Sequence, residues 1–568
     1  MIAARARDMD RVRATVMGHN SAPETGPNEE DTSKGVDAVE GRVTPRLWGP
    51  SGLTAFLVVV ASAAVRVWNL RAPAVQIDGD QAVTGIMVQR MLRGDNFYVF
   101  VAGQRYNGAL EQWAQVGVYR VTGLGQDPFT LRLPEVVWMA AATWLVYAVG
   151  RRVLLKEWPA VFAAALFSVG PYWSFWKGNH SDGAYPSLIV IGLVGVWCAM
   201  RFDPVKSSKY WWTAGFGVCG GLIMWLGQSG VWLLVPAALW LAPSFARSLR
   251  LWPVAFACAV IGAAPSLMWS WQNGIFAPFD IGLSTVPTTL QQRVHNVLGP
   301  LLREFVGVAG DEGTPGWPYW LQHLTIAALV AVIAVGAVRR RRGLSAIVTL
   351  SADTDRRPVD ALLVSVPIVL GVYVLSKSSW DTANPHYLFT FTPVLVWLLA
   401  AALPTRRPTL LLPTAAVVGF VFTTTSLMFV VNRAPTYPGT SDADLHAAIA
   451  YLDEHHQTAA YADFWTGMPT MYFADGNVAV APIGAGRGKF PATDRAVDTA
   501  ASFVYLDSAR NDSGRIVNPR PPIRQQLLAY GVTFTETHFG TVTVFSNLGQ
   551  PLRPWELGLG PEPTPNRP

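Results

Sequence analysis

Cysteine is scarce in this chain: three residues among 568, Cys198, Cys219 and Cys258, each inside an apolar run. That scarcity excludes a disulfide framework, and the spacings match no thiolate metal site. The three read as small buried hydrophobes. Charge is scarce too. Asp, Glu, Lys and Arg make up 14% of the chain, against 51% hydrophobic residues and 23 tryptophans. A soluble enzyme of this length needs more polar surface than that, whereas a polytopic membrane protein does not, and its interfaces attract Trp and Tyr. The net charge of +6 is not gathered into a patch for nucleic acid. The arginines fall in short runs between apolar segments, such as Arg339 to Arg342, which is the pattern of positive-inside anchoring. Nucleic acid is therefore not an expected partner; the lipid bilayer is.

What is present is a long series of apolar runs. A spanning helix needs about 20 mostly apolar residues. About eleven candidates begin near Ser51, Arg132, Trp158, Ala184, Tyr210, Ser229, Trp252, Tyr319, Ala361, Tyr387 and Thr409. Residues 1–48 are polar and read as a disordered cytoplasmic tail. No signal peptide precedes the first apolar run, which reads as an anchor. Basic residues cluster at 151–156, 201–209, 247–250, 339–343 and 405–409, and these turns are assigned inside. The N-terminus is then cytoplasmic, and an odd number of spans leaves the C-terminal region outside the plasma membrane. The expected fold is a polytopic α-helical membrane protein with a transmembrane domain over 49–432. Its long outer loops lie at about 71–130 and 272–318.

In the first loop, Val83, Ile86, Met87 and Met91 recur at helical spacing, as do Leu110, Trp113, Ala114, Gly117 and Val121. Two amphipathic helices lying in the membrane interface account for both. The glycines of 215–221 read as close helix packing. From about residue 440 the character changes to a helix, with Ser441 placed to cap it, then short strand-like runs at 459–463, 477–483, 502–506, 532–539 and 541–547 and a helical stretch at 522–531. This predicts a small extracytoplasmic α/β domain over 440–550, folding independently, followed by a disordered tail at 551–568.

Two acids stand where the first loop begins its first helix. Asp80 is well placed to cap that helix, and an external carboxylate there is equally placed to serve as a base; the two roles are compatible. The turn 177–186 holds His180, Asp182 and Tyr185, residues suited to contacts with a donor or acceptor. A metal site needs more ligands than this turn supplies, so no metal ligand is assigned and a divalent cation stays open as a cofactor. In the second loop Arg303, Glu304, Asp311 and Glu312 form a charged group able to close over a site.

These features resemble the GT-C class of membrane glycosyltransferases, in the branch of protein O-mannosyltransferases and lipid A aminoarabinose transferases. The matching residues are Asp80-Gln81-Ala82, then Gly103, Gln104, Tyr106, Gly108, Leu110 and Glu111, and "LRLP" at 131–134. "NPHYLFTFTPVL" at 384–395 resembles the segment opening a late span of that family. The resemblance implies transfer of a sugar, with inversion, from a polyprenyl-phosphate-linked donor to an acceptor hydroxyl on a glycan, lipid or protein at the outer face of the membrane. It implies Asp80 as general base, supported by Asp78, with Gln104 and Glu111 shaping the site beside Tyr106. Arg105, Arg132 and Lys177, with His386 and Lys377 behind them and Tyr387 adjoining, stand as contacts for the donor phosphate. The chain departs from the family twice: Gln81 replaces a Glu, and His386 a basic residue. Two other readings remain open, a transporter or lipid-handling protein and a catalytically inactive scaffold of the same fold. Against transport, the middles of the spans hold almost no ionisable residues.

Overall fold

The computed structural model describes residues 49–71, 76–274, 288–309, 316–351, 355–376, 379, 385–405, 407–432, 441–484, 486–508 and 522–562. The tail 1–48, Lys377, Asp311 and Glu312 lie outside the described residues. Helix α1 (Pro50–Leu70) leads into the first loop. There α2 (Gly79–Arg93), a hairpin of β1 (Phe100–Val101) and β2 (Gln104–Gly108), and α3 (Leu110–Thr122) follow. Next come α4 (Pro128–Leu154), α5 (Glu157–Val169), α6 (Tyr172–Lys177), α7 (Tyr185–Arg201), α8 (Lys209–Leu226), α9 (Val231–Arg247), α10 (Leu251–Gly262) and α11 (Ala264–Asn273). The second loop carries α12 (Leu290–Asn296) and α13 (Leu302–Val306). Beyond it run α14 (Tyr319–Arg339), α15 (Arg341–Val348), α16 (Pro358–Leu375), a 3-10 stretch (Pro385–Phe391) opening α17 (Thr392–Ala401), and α18 (Pro408–Asn432).

Each expected span start falls at a helix, yet among the described residues six helices, not eleven, are long and apolar enough to cross a membrane, or seven if the bent pair α10–α11 is one span. The six are α1, α4, Gln228–Arg247, α14, α16 and Thr409–Met428, and the bent pair turns by 66°. Some of the others are too short. Helix α5 has 13 residues, about 20 Å at 1.5 Å per residue, where the hydrocarbon layer is about 30 Å. The chain is a multi-pass membrane protein, and its surface shows it. On α14 only Gln322 is buried, while Trp320, Leu324, Val330 and Val335 are exposed, a pattern that suits lipid and not water. Inside, α8 and α10 approach so closely that a Cβ on Gly217, Gly221 or Gly262 would strike the facing helix backbone, as the glycine run predicts.

After α18, α19 (Asp442–Glu454), β3 (Ala459–Ala462), α20 (Phe464–Phe473), β4 (Ala479–Pro482), α21 (Pro491–Thr499), β5 (Val504–Ser508), α22 (Ile523–Ala529), β6 (Thr535–Phe539) and β7 (Val542–Ser546) build one sheet flanked by helices. The strand order is β4-β3-β5-β7-β6, parallel from β4 to β5 and antiparallel beyond. Ser441 takes the capping position of α19 but its side chain makes no capping bond. Alternation sorts the strands onto two faces. Tyr461, Ala481, Tyr505 and Phe545 pack with Val497, Leu527, Leu557 and Leu559 on one face. Ala460, Ala462, Val480, Val504, Leu506 and Val544 face the other way, into a core shared with Ile77, Val83, Ile86 and Met87 of the first loop.

That shared core corrects three expectations. The C-terminal segment is not a separate unit: the chain from Pro50 onward is one compact body. Residues 551–560 are folded against the sheet, with Leu557 and Leu559 buried, where an unstructured tail was expected. Helix α2 does not lie free in the membrane interface. It is buried along almost its whole length, because α20 covers it. The contact is tight enough that a Cβ on Gly79 would sit 2.8 Å from the Phe464 ring, and one on Gly85 would overlap Tyr472. Helix α3 is turned as a membrane-bordering helix would be. Glu111, Gln112, Gln115 and Tyr119 face inward, while Gly117 and Val121 face out.

Candidate active site

The cap of α2 is Asp78, not Asp80. Its Oδ1 accepts from the Gln81 backbone N–H at 2.8 Å and its Oδ2 accepts from the Gln81 side-chain amide at 3.0 Å. Either acid fits the cap by spacing alone. The chain turns helical at Gly79, so the residue before it takes the bond. The Gln81 carbonyl in turn accepts from Arg132 Nε at 2.6 Å, and Arg132 also donates to the Gln76 carbonyl at 2.7 Å. A neutral amide is what this position requires, because one end must donate to Asp78 and the other accept from Arg132. A Glu there would set a second carboxylate against Asp78. Arg132 is thereby buried behind the loop at 1% exposure and holds the cap.

Asp80 is left free. Among the described residues no hydrogen bond engages its carboxylate, and the nearest cation is Lys489 Nζ, 3.9 Å from Oδ1. Its side chain stays 35% exposed. Burial raises the pKa of Asp80 above the usual aspartate value; Lys489 and, less strongly, Lys177 oppose the rise, while Asp78 adds to it.

The turn 177–186 forms the facing wall. Lys177 and Asp182 make a buried ion pair. Burial opposes the charge on Lys177, but Asp182, Asp80 and Asp78 together outweigh it and raise its pKa. Burial pushes Asp182 up to about 7 against the pull of Lys177. The Lys177 ammonium lies 4.7 Å from the Tyr185 ring centre, and Tyr185 meets His386 edge-on at 5.8 Å. His386 stacks against Tyr387 at 4.2 Å. Tyr106 on β2 is held neutral by burial and by the nearby Tyr387 and Asp80. Asp78, Asp80, Tyr106, Lys177, Asp182, Tyr185, His386 and Tyr387 are thus brought together from three distant parts of the chain.

Other predicted residues stand apart. His180 is buried, its Nδ1 2.7 Å from the Trp176 carbonyl and its ring against Trp176, and burial beside Arg132 keeps it neutral. Arg105 is exposed and lies 6.0 Å over Trp269. Gln104 accepts from the Asn107 amide at 2.6 Å within the hairpin. Glu111 accepts from the Ser187 backbone N–H at 2.8 Å, capping α7, the helix that presents Tyr185. Burial pushes Glu111 up to about 8. Around it, Gln115 bridges Glu135, Ser181 and the Leu131 carbonyl, and Thr84 donates to Ser181. This buried polar layer ties α2, α3 and α4 to the turn. Arg303, in the second loop, is turned onto Tyr319 and Gln322 of α14.

One site residue was not anticipated: Lys489. It sits in "GAGRGKF" (484–490), where Gly484, Gly486 and Gly488 all have positive φ, so the loop curls tightly enough to drop the lysine beside Asp80 and Gly103. Burial lowers the Lys489 pKa and Asp80 raises it back. Glycines interleaved with basic residues are the sequence signal that marks such a loop. Among the described residues, no group of three or more His, Cys, Asp or Glu is placed to hold a metal ion.

No protein-family model matches the chain, and no curated protein does. Among solved structures it is similar to ArnT from Cupriavidus metallidurans bound to undecaprenyl phosphate, at 13% identity and TM-score 0.46, over 89% of this chain and 100% of that one. It is also similar to the Archaeoglobus fulgidus oligosaccharyltransferase in the apo form, at 11% identity and TM-score 0.48, over 82% of this chain and 70% of that one. A third is AglB from the same archaeon in complex with an inhibitory peptide and a dolichol-phosphate, at 13% identity and TM-score 0.44, over 80% and 69%.

Proposed function

We propose that this protein transfers a sugar from a polyprenyl-phosphate-linked donor to an acceptor hydroxyl on a glycan, lipid or protein, at the outer face of the plasma membrane. The observation that carries the reading is Asp80: a partly exposed carboxylate that no hydrogen bond engages among the described residues, under the charge of a buried lysine of the 177–186 turn and of Lys489 of the C-terminal loop. Such a carboxylate accepts the proton of an acceptor hydroxyl as its oxygen attacks the anomeric carbon. The bond from that carbon to the donor phosphate breaks, and its electron pair leaves on the phosphate. Lys177 and Lys489 supply the positive charge that meets it. One displacement inverts the anomeric centre. Asp78, with both oxygens engaged, fixes the loop from which Asp80 projects.

In this reading the spanning helices cross the membrane with the basic turns inside. The first loop and the C-terminal sheet then stand together outside, joined by the Arg93–Asp475 ion pair at 2.9 Å. Mass spectrometry of lipid extracted from the purified protein tests the donor. A polyprenyl phosphate or its sugar conjugate is the expected species, consumed when acceptor is added. Ordinary phospholipid alone, or vectorial movement of an unmodified solute, would contradict the reading.

A further inference from the structure

At the far end of the helix bundle from Asp80 there is a cavity. Helix α7 begins at Tyr185 beside the candidate site and runs 17 residues to Arg201, about 25 Å away. Beyond its end, a pocket of about 410 Å³ opens between the start of α8, the end of α9 and the residues before α16. Lys209, Arg247 and Arg356 line it together with Trp240, Ser244 and Ser248. Among the described residues no carboxylate pairs with any of the three cations. The nearby Asp360 is taken, its two oxygens accepting from Arg340 at 2.8 and 2.7 Å, and Asp203 pairs with Lys206.

Arg356 is half held and half free. Its guanidinium lies 4.3 Å over the Trp240 ring and one terminal nitrogen donates to the Leu239 and Trp240 carbonyls, while Nε is buried with no hydrogen-bond partner. Burial pushes it down to about 10, with Asp360 pulling up and Arg247 pushing down again. Three cations converging on one concavity, with a buried donor unmet and two serine hydroxyls beside them, lack an anion. Outside the pocket, Trp211, Leu249 and Trp252 are 80%, 78% and 56% exposed, an apolar rim that nothing among the described residues covers. An anion carrying hydrocarbon satisfies both halves.

We propose that this pocket seats the phosphate of an anionic phospholipid, with Arg247, Arg356 and Lys209 around the headgroup and the acyl chains along the rim of Trp211, Leu249 and Trp252. Free phosphate shares the headgroup's chemistry but leaves the rim bare. The test is native mass spectrometry of the delipidated full chain, titrated with dioleoyl phosphatidylglycerol or dioleoyl phosphatidylcholine. Phosphatidylglycerol is expected to bind selectively, and the double variant Arg247→Gln, Arg356→Gln to weaken it at least about tenfold. Ser248→Phe keeps every charge and fills the cavity, and a similar loss is expected there, so the assignment does not rest on the arginine variant folding. Equal retention of the two lipids, or wild-type affinity in the Ser248→Phe protein, overturns it. A rise in Tm with millimolar inorganic phosphate but no selective lipid binding assigns the pocket to a soluble anion and overturns the lipid.

Discussion

An N-cap carboxylate spends its oxygens on the helix it begins, and Asp78 spends both on Gln81. Two residues on, Asp80 has left the cap and faces Lys489. The expected consequences differ. Asp78→Ala should lower stability by about 1 kcal/mol and reduce activity through a displaced α2, whereas Asp80→Asn should leave Tm nearly unchanged. Lys489 gives a pH readout. Burial raises the pKa of Asp80 and Lys489 pulls it down, so the acid limb of kcat/KM should lie above the ordinary aspartate range. Lys489→Gln should carry that limb to still higher pH. A limb that stays in place while the rate falls would assign Lys489 to the phosphate alone. The sequence made the acids, Lys177, Asp182 and Tyr185 legible because they crowd into two short polar stretches. It hid Lys489, which lies 409 positions from Asp80 and reaches it only through the fold. It also pointed to Asp80 as the cap where Asp78 takes that place, because a two-residue ambiguity in where α2 starts suits either.

Among the elements, α3 is the one whose polarity runs inward. Glu111, Gln112 and Gln115 are fully buried while Val121 is 86% exposed, so the apolar spacing that predicted the helix turns outward at Gly117 and Val121. Periodicity finds a helix, but the side it buries depends on whether water or lipid lies outside. Glu111 makes this testable. Its folded pKa of about 8 stands above the ordinary 4.5, so between those values the folded protein holds a proton that the unfolded chain has lost. Stability contributed there is complete below about 4.5 and falls as pH rises toward 8. Glu111→Gln keeps an acceptor for the Ser187 N–H and should flatten that part of the Tm–pH curve. An identical slope in variant and wild type would place the proton elsewhere. The short helices α5 and α7 show the limit of reading spans from hydropathy: composition marks them as apolar, and only packing decides how far they extend.

At the scale of the whole molecule, the strands and helices after residue 441 follow their sequence pattern, but their independence does not. One face of the sheet is apolar because α2 lies on it through Phe464, Tyr472 and their neighbours. Alternation shows that a face is buried without saying by what. A fragment beginning at residue 441 should therefore expose that face and self-associate in gel filtration. A monodisperse, folded fragment would mean that α2 is a guest on a complete domain. In intact cells, an impermeant thiol reagent should label cysteines placed at Asn96 and at Asn477 alike, since Arg93 and Asp475 pair between them; labelling of one alone would break the proposed arrangement.

The central claim is that Asp80 takes the acceptor's proton. The most direct measurement is sugar transfer from the co-purified polyprenyl-phosphate donor by Asp80→Asn, alongside Asp78→Asn and wild type, with donor binding followed in the same samples. Loss of a general base costs about 10²–10⁴-fold, so Asp80→Asn should bind donor and transfer at that reduced rate, with Asp78→Asn milder. Near-normal transfer by Asp80→Asn, or an essential Asp78 beside a dispensable Asp80, would contradict it.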